Sequence, residues 1–345
     1  MLKISMENID KLYAAIKESR DLFLPIESAG QVQFAEHTDD AVVRLDVLKT
    51  VKSAKDAFFP QSEDLMEFKV CGKEIDVIPP SGDMKEFVIM GVKACDAKSF
   101  EILDRVYLKE PIDSYYALRR EKGLVVVQAC GRPEESCFCN VFGIDATAPV
   151  GDVVTYLVDG TLYWDAQTEK GKELTEKIAS VFDNADANDD AKVEASKAET
   201  KAIMEKLPFA NLDLSRFNGE NMMEIFKDER WNELYKACLG CGTCTFVCPT
   251  CQCYDIKDYD TGHGIKRFRC WDSCMYSDFT MMAHGNNRNS QMERFRQRFM
   301  HKLVYYPSNN EGIYSCVGCG RCVNKCPISM NIVKVIKTMG VTDNE

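Results

Sequence analysis

Two stretches of the chain, CLGCGTCTFVCP (238–249) and CVGCGRCVNKCP (316–327), share one pattern of cysteines, glycines and a closing Cys-Pro. Each reads C-x2-C-x2-C-x3-C-P, a run that wraps an iron–sulfur cube. A [4Fe–4S] cube needs four thiolates approaching from tetrahedrally disposed corners. Cysteines at i, i+3 and i+6 of a tight loop supply three, and the fourth, past the loop, points toward a neighbouring cube. That rule predicts one cluster on Cys238, Cys241, Cys244 and Cys326, and a second on Cys316, Cys319, Cys322 and Cys248. Gly240, Gly242, Gly318 and Gly320 let backbone amides approach the sulfurs, where hydrogen bonds tune potential. Pro249 and Pro327 set the chain direction just past the last ligand. Zinc is the competing metal, but it normally takes two separated C-x2-C pairs rather than four cysteines in one run.

The first run continues into two more cysteines, Cys251 and Cys253, too late for either cube. Between Cys248 and Cys316 lie 67 residues, where a compact ferredoxin has a short loop. This insertion also holds Cys270 and Cys274. A further metal site on Cys251, Cys253 and Cys274, with Cys270, is one reading, and packing beside the ferredoxin clusters is the other. From 263 to 302 there are eight Lys or Arg against three Asp or Glu. Arg267, Arg269 and Arg288 would offset anionic clusters if they lay close. A helix with a solvated basic face, or a dock for an acidic partner, explains the same excess.

A third group lies far upstream. Cys95 follows the apolar run FVIMGV (87–92), and Cys130 follows LVVVQA (124–129), with Cys137 and Cys139 close behind. Both runs have strand length, and DAKSFEILDRVYL and SYYALRREK between them have helical spacing. A βαβ unit makes the strands parallel neighbours and brings both ends to one sheet edge, where open α/β sheets bind ligands. Cys95, Cys130, Cys137 and Cys139 are therefore the expected ligands of a third [4Fe–4S] cluster. Free cysteines are also common in cores, a reading that suits the isolated Cys71 better than the C-F-C pair.

With CPTCQC, CWDSC, HGNNR and SCVGCGRCVNKCPI, the C-terminal half resembles the 4Fe-4S dicluster proteins typified by the sulfhydrogenase beta subunit, a group that includes the anaerobic sulfite reductase A subunit. GVKACDAKSFEILDRV, YYALRREKGLVVVQAC and SCFCN extend the likeness over nearly the whole chain. The resemblance implies an electron-relay subunit of an oxidoreductase complex. It would stand between a flavoprotein subunit binding FAD and NAD(P) and a catalytic partner: a hydrogenase, a heterodisulfide reductase-like module or a sulfite reductase. The N-terminal cysteines are also similar to those of F420-reducing hydrogenase beta subunits, which implies the rival reading of a catalytic subunit with its own flavin. No G-x-G-x-x-G follows a strand, and His37, His263, His284 and His301 are not paired at ligand spacing. No acid–base constellation stands out, so the chemistry falls to the clusters.

The elements that must position these cysteines give an α+β chain of 345 residues. Residues 1–170 read as an α/β domain, 171–237 as a helical connecting region, and 238–345 as a ferredoxin-like dicluster domain with an insertion at 250–315. The start reads as a short strand and an amphipathic helix without signal-peptide character. VVTYLVDGTLYW (153–164) reads as a hairpin turning at Asp159-Gly160. DNADANDDA (183–191) reads as an exposed acidic loop without the glycine and glutamate of a calcium loop, and 221–237 as one helix. A net charge of −11 argues against nucleic acid, and no apolar run is long enough for a membrane. So many clustered cysteines in a long chain point to metal in a reducing cytoplasm rather than to disulfides.

Overall fold

The computed structural model describes residues 1–80, 83–262 and 264–341. The chain begins a large sheet with β1 (Leu2–Ser5), β2 (Asp21–Ser28), β3 (Gln31–Glu36) and the short β4 (Val42–Val43). It leaves that sheet for β5 (Ser62–Cys71) and β6 (Glu74–Ile78), then returns. The return strands are β7 (Phe87–Lys93), β8 (Gly123–Gln128), β9 (Val153–Val158), β10 (Thr161–Ala166) and β11 (Asp183–Asn184). The strand order is β11-β1-β10-β9-β8-β7-β2-β3, with β4 on β2. The pairs β2–β7, β7–β8 and β8–β9 are parallel, and the flanks are antiparallel.

Every residue of β7 and β8 is buried, as strands covered on both faces require. Their side chains alternate between two cores. Val88, Met90, Leu124 and Val126 pack with Leu12 and Ile16 of α1 (Ile9–Lys17). Ile89, Val92, Val125 and Val127 pack with Phe100, Leu103 and Tyr107 of α2 (Ala94–Tyr107) and Tyr116 of α3 (Ser114–Lys122). The β9–β10 hairpin turns at Asp159 and Gly160, both at positive φ, as a two-residue turn between twisted strands demands.

Past α4 (Glu169–Lys177), the acidic segment 183–191 is not an exposed loop. Asp183 and Asn184 pair with β1, and Asp186 caps α5 (Ala187–Glu205) in a reciprocal box with Asp189. The buried Asp189 also binds the Lys3 ammonium at 2.6 Å and the Tyr163 hydroxyl at 2.9 Å. Carboxylates collect there because the first turn of a helix offers unpaired amides and positive dipole. The single helix expected over 221–237 is also corrected. It divides into α6 (Met222–Lys227) and α7 (Trp231–Leu234), with Asp228 between them accepting from the Arg230 amide and pairing with Arg216.

After α8 (Thr243–Phe246), the insertion forms a hairpin of β12 (Tyr254–Asp260) and β13 (Ile265–Trp271). It completes a second sheet in the order β12-β13-β5-β6, so residues far apart in sequence share one ladder. Trp271 is buried in the same core as Phe58 and Phe59. Then follow α9 (Gln291–Met300), a π-helical turn at His301–Tyr305, α10 (Tyr306–Asn309), α11 (Arg321–Asn324) and α12 (Ile332–Met339). Phe295, Phe299, Leu303 and Val304 pack there against Trp231, Ile332, Val335 and Ile336. Among the described residues, no helix is long and apolar enough to cross a membrane.

One buried ion pair ties the two ends of the chain. Arg321 donates to both carboxylate oxygens of Asp96, at 2.5 and 2.7 Å, and to the Thr50 carbonyl at 3.0 Å. Removing one partner of such a pair strands the other charge, at a cost of about 3–5 kcal/mol. Asp96→Asn, which keeps the shape and deletes the charge, is expected to lower the thermal unfolding midpoint clearly. A midpoint matching wild type would refute this role for the pair.

Candidate metal centres

The two cysteine runs fold alike because their glycines do. Gly240, Gly242, Gly318 and Gly320 all have positive φ, and Gly242 and Gly320 begin the short α8 and α11. In the first loop the Gly240 amide donates to Cys238 Sγ at 3.4 Å. In the second, burial pushes the Cys316 thiol up to about 12 while Lys302 and the Gly318 amide pull against it.

The thiols fall into neighbouring sets, and among the described residues no three of them converge as ligands of a single metal ion. Burial raises Cys322, and the neighbouring Cys319, Cys316 and Cys248 add to the effect, so Cys248 of the first run sits among the thiols of the second. Cys238, Cys241 and Cys244 form the other loop, with Cys241 exposed. Cys326 packs on an apolar cluster that Cys238, Cys316 and Cys322 also touch, and its thiol donates to the Met330 carbonyl at 3.4 Å.

The upstream cysteines meet at the C-terminal edge of the parallel strands. Lys93 and Gln128 form the last rung of β7 and β8, and Cys95 and Cys130 lie two residues beyond. Burial raises Cys130 to about 11, with Cys137 adding, and raises Cys139 to about 12, with Cys130, Cys137 and Cys319 adding. Burial also raises Cys95, with Asp96, Cys319 and Cys139 contributing. Four upstream thiols and Cys319 of the ferredoxin run therefore share one buried region.

The contact that joins them is between backbones. The Phe138 amide donates to the Gly318 carbonyl at 3.0 Å. A Cβ on Gly318 would lie 2.3 Å from the Phe138 carbonyl oxygen, and one on Gly320 would lie 2.2 Å from that of Ser136. Only glycine lets the ferredoxin loop lie this close to the C-F-C loop.

Of the insertion cysteines, Cys251 lies close enough to Cys248, and Cys253 to Cys274, for each pair to shift one another's thiols. Cys270 does not join them. It stands on β13 opposite Asp255, where burial raises it and the charged neighbours are Lys257, Asp255 and Asp272.

Two of the basic residues singled out by the insertion's charge, Arg267 and Arg269, are spent on carboxylates. Arg267 pairs with Asp258 at 2.7 Å, and Arg269 pairs with Glu63 at 2.6 Å and with Asp113. The solvated basic face expected of the insertion's helix is also absent along one stripe, where Arg298 and Lys302 are buried. Arg298 Nε donates to Cys244 Sγ at 3.0 Å and its Nη2 to the Cys244 carbonyl at 2.9 Å. Lys302 Nζ donates to Thr250 Oγ1 at 2.8 Å and to the Ser315 carbonyl at 2.9 Å. Lys55, 1% exposed, donates to the Cys251 carbonyl at 2.8 Å and the Cys248 carbonyl at 3.3 Å, and lies 3.5 Å over the Trp271 ring.

These three cations test whether an iron–sulfur group fits. Their hydrogen bonds go to carbonyls, a hydroxyl and a thiol, and among the described residues none goes to a carboxylate. Buried cations without a counter-charge are costly. Burial lowers Lys55 to about 8, although Cys251 and Cys248 resist. Burial opposes the charge on Lys302 too, but Cys248 and Cys251 outweigh it and hold the ammonium. Thiolate-bound anionic clusters would supply the missing negative charge, so the residues present fit the group.

Comparison with known proteins gives the same chemistry. A 4Fe-4S dicluster domain matches residues 237–330. The chain is 32% identical over 343 residues to sulfhydrogenase 2 subunit beta of Pyrococcus furiosus, covering 97% of each.

Gly320 and Gly143 separate backbone strain from crowding, since both have positive φ but a Cβ on Gly143 would meet open space. Alanine at either is expected to cost about 1–2 kcal/mol for the left-handed backbone. Gly320→Ala should cost a further 1–3 kcal/mol or so of overpacking, measured by denaturant unfolding. Equal costs at the two sites would refute the tight loop contact.

Proposed function

The chain belongs to the family of the sulfhydrogenase beta subunit, and on that premise we propose that it is the electron-relay subunit of a cytosolic, anaerobic oxidoreductase complex. Its partners are a flavoprotein subunit that binds FAD and NAD(P), and a catalytic module of the hydrogenase, heterodisulfide reductase-like or sulfite reductase kind. The observation that carries this reading is the group of buried cations, Lys55, Arg298 and Lys302, bonded beside Cys244, Cys248 and Cys251 without a carboxylate partner among the described residues. Bound [4Fe–4S] clusters would each supply one-electron storage at a potential set by charge, hydrogen bonds and exposure.

The chain's own residues divide the remaining work. Cys238, Cys241, Cys244 and Cys326 would hold an outer cluster, and the exposure of Cys241 supports contact with a partner there. Cys316, Cys319, Cys322 and Cys248 would hold an inner one. Cys95, Cys130, Cys137 and Cys139 would hold a third, a reading supported by their shared burial with Cys319. The packing of the Gly318–Gly320 loop on Ser136–Cys139 supports a third set beside the inner one, since a Cβ on either glycine would meet the opposite backbone. Cys251 lies beside Cys248, and Cys253 and Cys274 beside one another, either as further ligands or as packing beside the inner cluster.

One observation favours the rival reading of a subunit with its own flavin. A cavity of about 500 Å³ opens at the C-terminal edge of β7 and β8, lined by Lys93 and Gln128. The buried Gln128 Oε1 has no hydrogen-bond partner among the described residues. Flavin absorbance in the protein purified alone would support that rival, and its absence would support the relay.

Iron and acid-labile sulfide per chain, measured after anaerobic reconstitution, test the relay. At four irons per cube, about twelve are expected, falling to about eight in Cys95→Ser. About eight in the wild type would remove the N-terminal centre, and about sixteen would bring in the insertion cysteines.

A further inference from the structure

The three buried cations are not spread evenly over the thiol sets. Lys302 Nζ donates to the Thr250 hydroxyl, which lies 3.2 Å from Cys248 Sγ, and to the Ser315 carbonyl next to Cys316. Arg298 faces Cys244, Cys251, Cys322 and Cys248. Lys55 reaches the carbonyls of Cys248 and Cys251. Lys302 and Lys55 therefore lie against the set formed by Cys316, Cys319, Cys322 and Cys248, and Arg298 reaches toward it from Cys244.

The other two sets are charged differently. Beside the N-terminal thiols, Arg321 is paired with Asp96, and Lys49, which faces Cys137, is shared with Glu134 at 3.1 Å and the Ser136 hydroxyl at 2.6 Å. Asp96 itself adds negative charge next to Cys95. Lys93 is the remaining cation there, facing Cys130 and Cys95. At the outer loop, Arg298 is the cation that donates to a thiol among the described residues, and the exposed Cys241 lets water screen the field.

We propose that Lys55, Arg298 and Lys302 set the order of potentials along the relay, making the centre held by Cys316, Cys319, Cys322 and Cys248 the most easily reduced of the set. The inference rests on the electron-relay reading above. The step it concerns moves one electron from a reduced donor onto that centre, with no bond made or broken. Each electron adds one negative charge to a buried group. An unpaired cation in low dielectric stabilises that charge far more than one already bound to a carboxylate. Arg298 and Lys302 are spaced i, i+4 where α9 passes into its π-helical turn, an irregularity that recurs at functional sites. The inner centre would thus hold an electron between a lower-potential centre on the N-terminal side and the exposed one.

The test is a mediated redox titration of the reconstituted full chain, followed by EPR, with the inner signal identified by its loss in Cys322→Ser. In Lys302→Met, the reduced-to-oxidised ratio of the inner centre at fixed potential should fall about tenfold or more, each tenfold being a 59 mV lower midpoint for one electron. The other midpoints should move less, and Lys302→Arg should restore the inner one. In the metal-free chain the sign reverses. There Lys302→Met removes a buried charge with no carboxylate, so it should unfold at higher denaturant than the metal-free wild type. A purely structural lysine would not move a midpoint and then recover it with arginine. Should Lys302→Met fail to keep its iron, Lys55→Met gives the same reading. Full iron content with an unmoved inner midpoint, or with all midpoints moving together, overturns this inference alone. A wild-type chain that takes up no iron overturns the relay reading and this inference with it.

Discussion

Two backbone loops lie so close that no side chain fits between them, and the arrangement of the thiol sets depends on that approach. The Gly318–Gly320 segment of one ferredoxin run rests on Ser136–Cys139 of the N-terminal half. A side chain at either glycine would push the loops apart. The same contact buries Cys137, Cys139 and Cys319 in one apolar patch. Electron transfer between centres weakens steeply with separation, so packing at this seam is a functional constraint as well as a structural one.

Other interactions hold the seam in register. The Arg321–Asp96 pair places a ferredoxin arginine on the first turn of α2, beside Cys95. The Tyr306 hydroxyl donates to the Ile102 carbonyl at 2.9 Å, and the Tyr107 hydroxyl to the Gln252 carbonyl at 2.9 Å. The insertion supplies β12 and β13 to a sheet whose other strands come from residues 62–78. What looks in sequence like a ferredoxin interrupted by 67 residues is therefore one body, in which the interruption is the fastening.

Charge adds a second layer. Most surface ion pairs here are ordinary and worth little. Lys55, Arg298 and Lys302 differ because they are buried and, among the described residues, none of them hydrogen-bonds a carboxylate. The carbonyls of Cys244, Cys248, Cys251 and Ser315 orient them toward the thiols. Such a core is incomplete as protein alone and becomes balanced when anionic sulfur groups are present. This is the coupling of folding to cofactor expected when ligands must be deprotonated.

Much of this was legible in the residues. Spacing alone identified the paired cysteine runs, because a cube demands thiolates at fixed offsets on a tight loop. Apolar runs of strand length predicted β7 and β8 as parallel neighbours, because a βαβ crossover allows little else. The acidic run at 183–191 was misread because Asp and Asn serve loops and helix caps equally well, and only the pairing of Asp183 with β1 decides between them. Local charge pointed to Arg267 and Arg269, yet both are consumed by carboxylates that come near only in the fold. Lys55 carried no signal, since its partners lie about 190 residues away. Arg298 and Lys302 left a trace in their four-residue spacing on the stripe of Phe295 and Phe299. By itself, then, the sequence determined which thiols belong to which local run and which strands adjoin, since both follow from short-range geometry. Tertiary structure alone decided that the upstream and ferredoxin thiols share one interior, that Cys270 stands apart, and which cations face sulfur. Those outcomes depend on how distant surfaces exclude water together, a property that no single stretch of chain possesses.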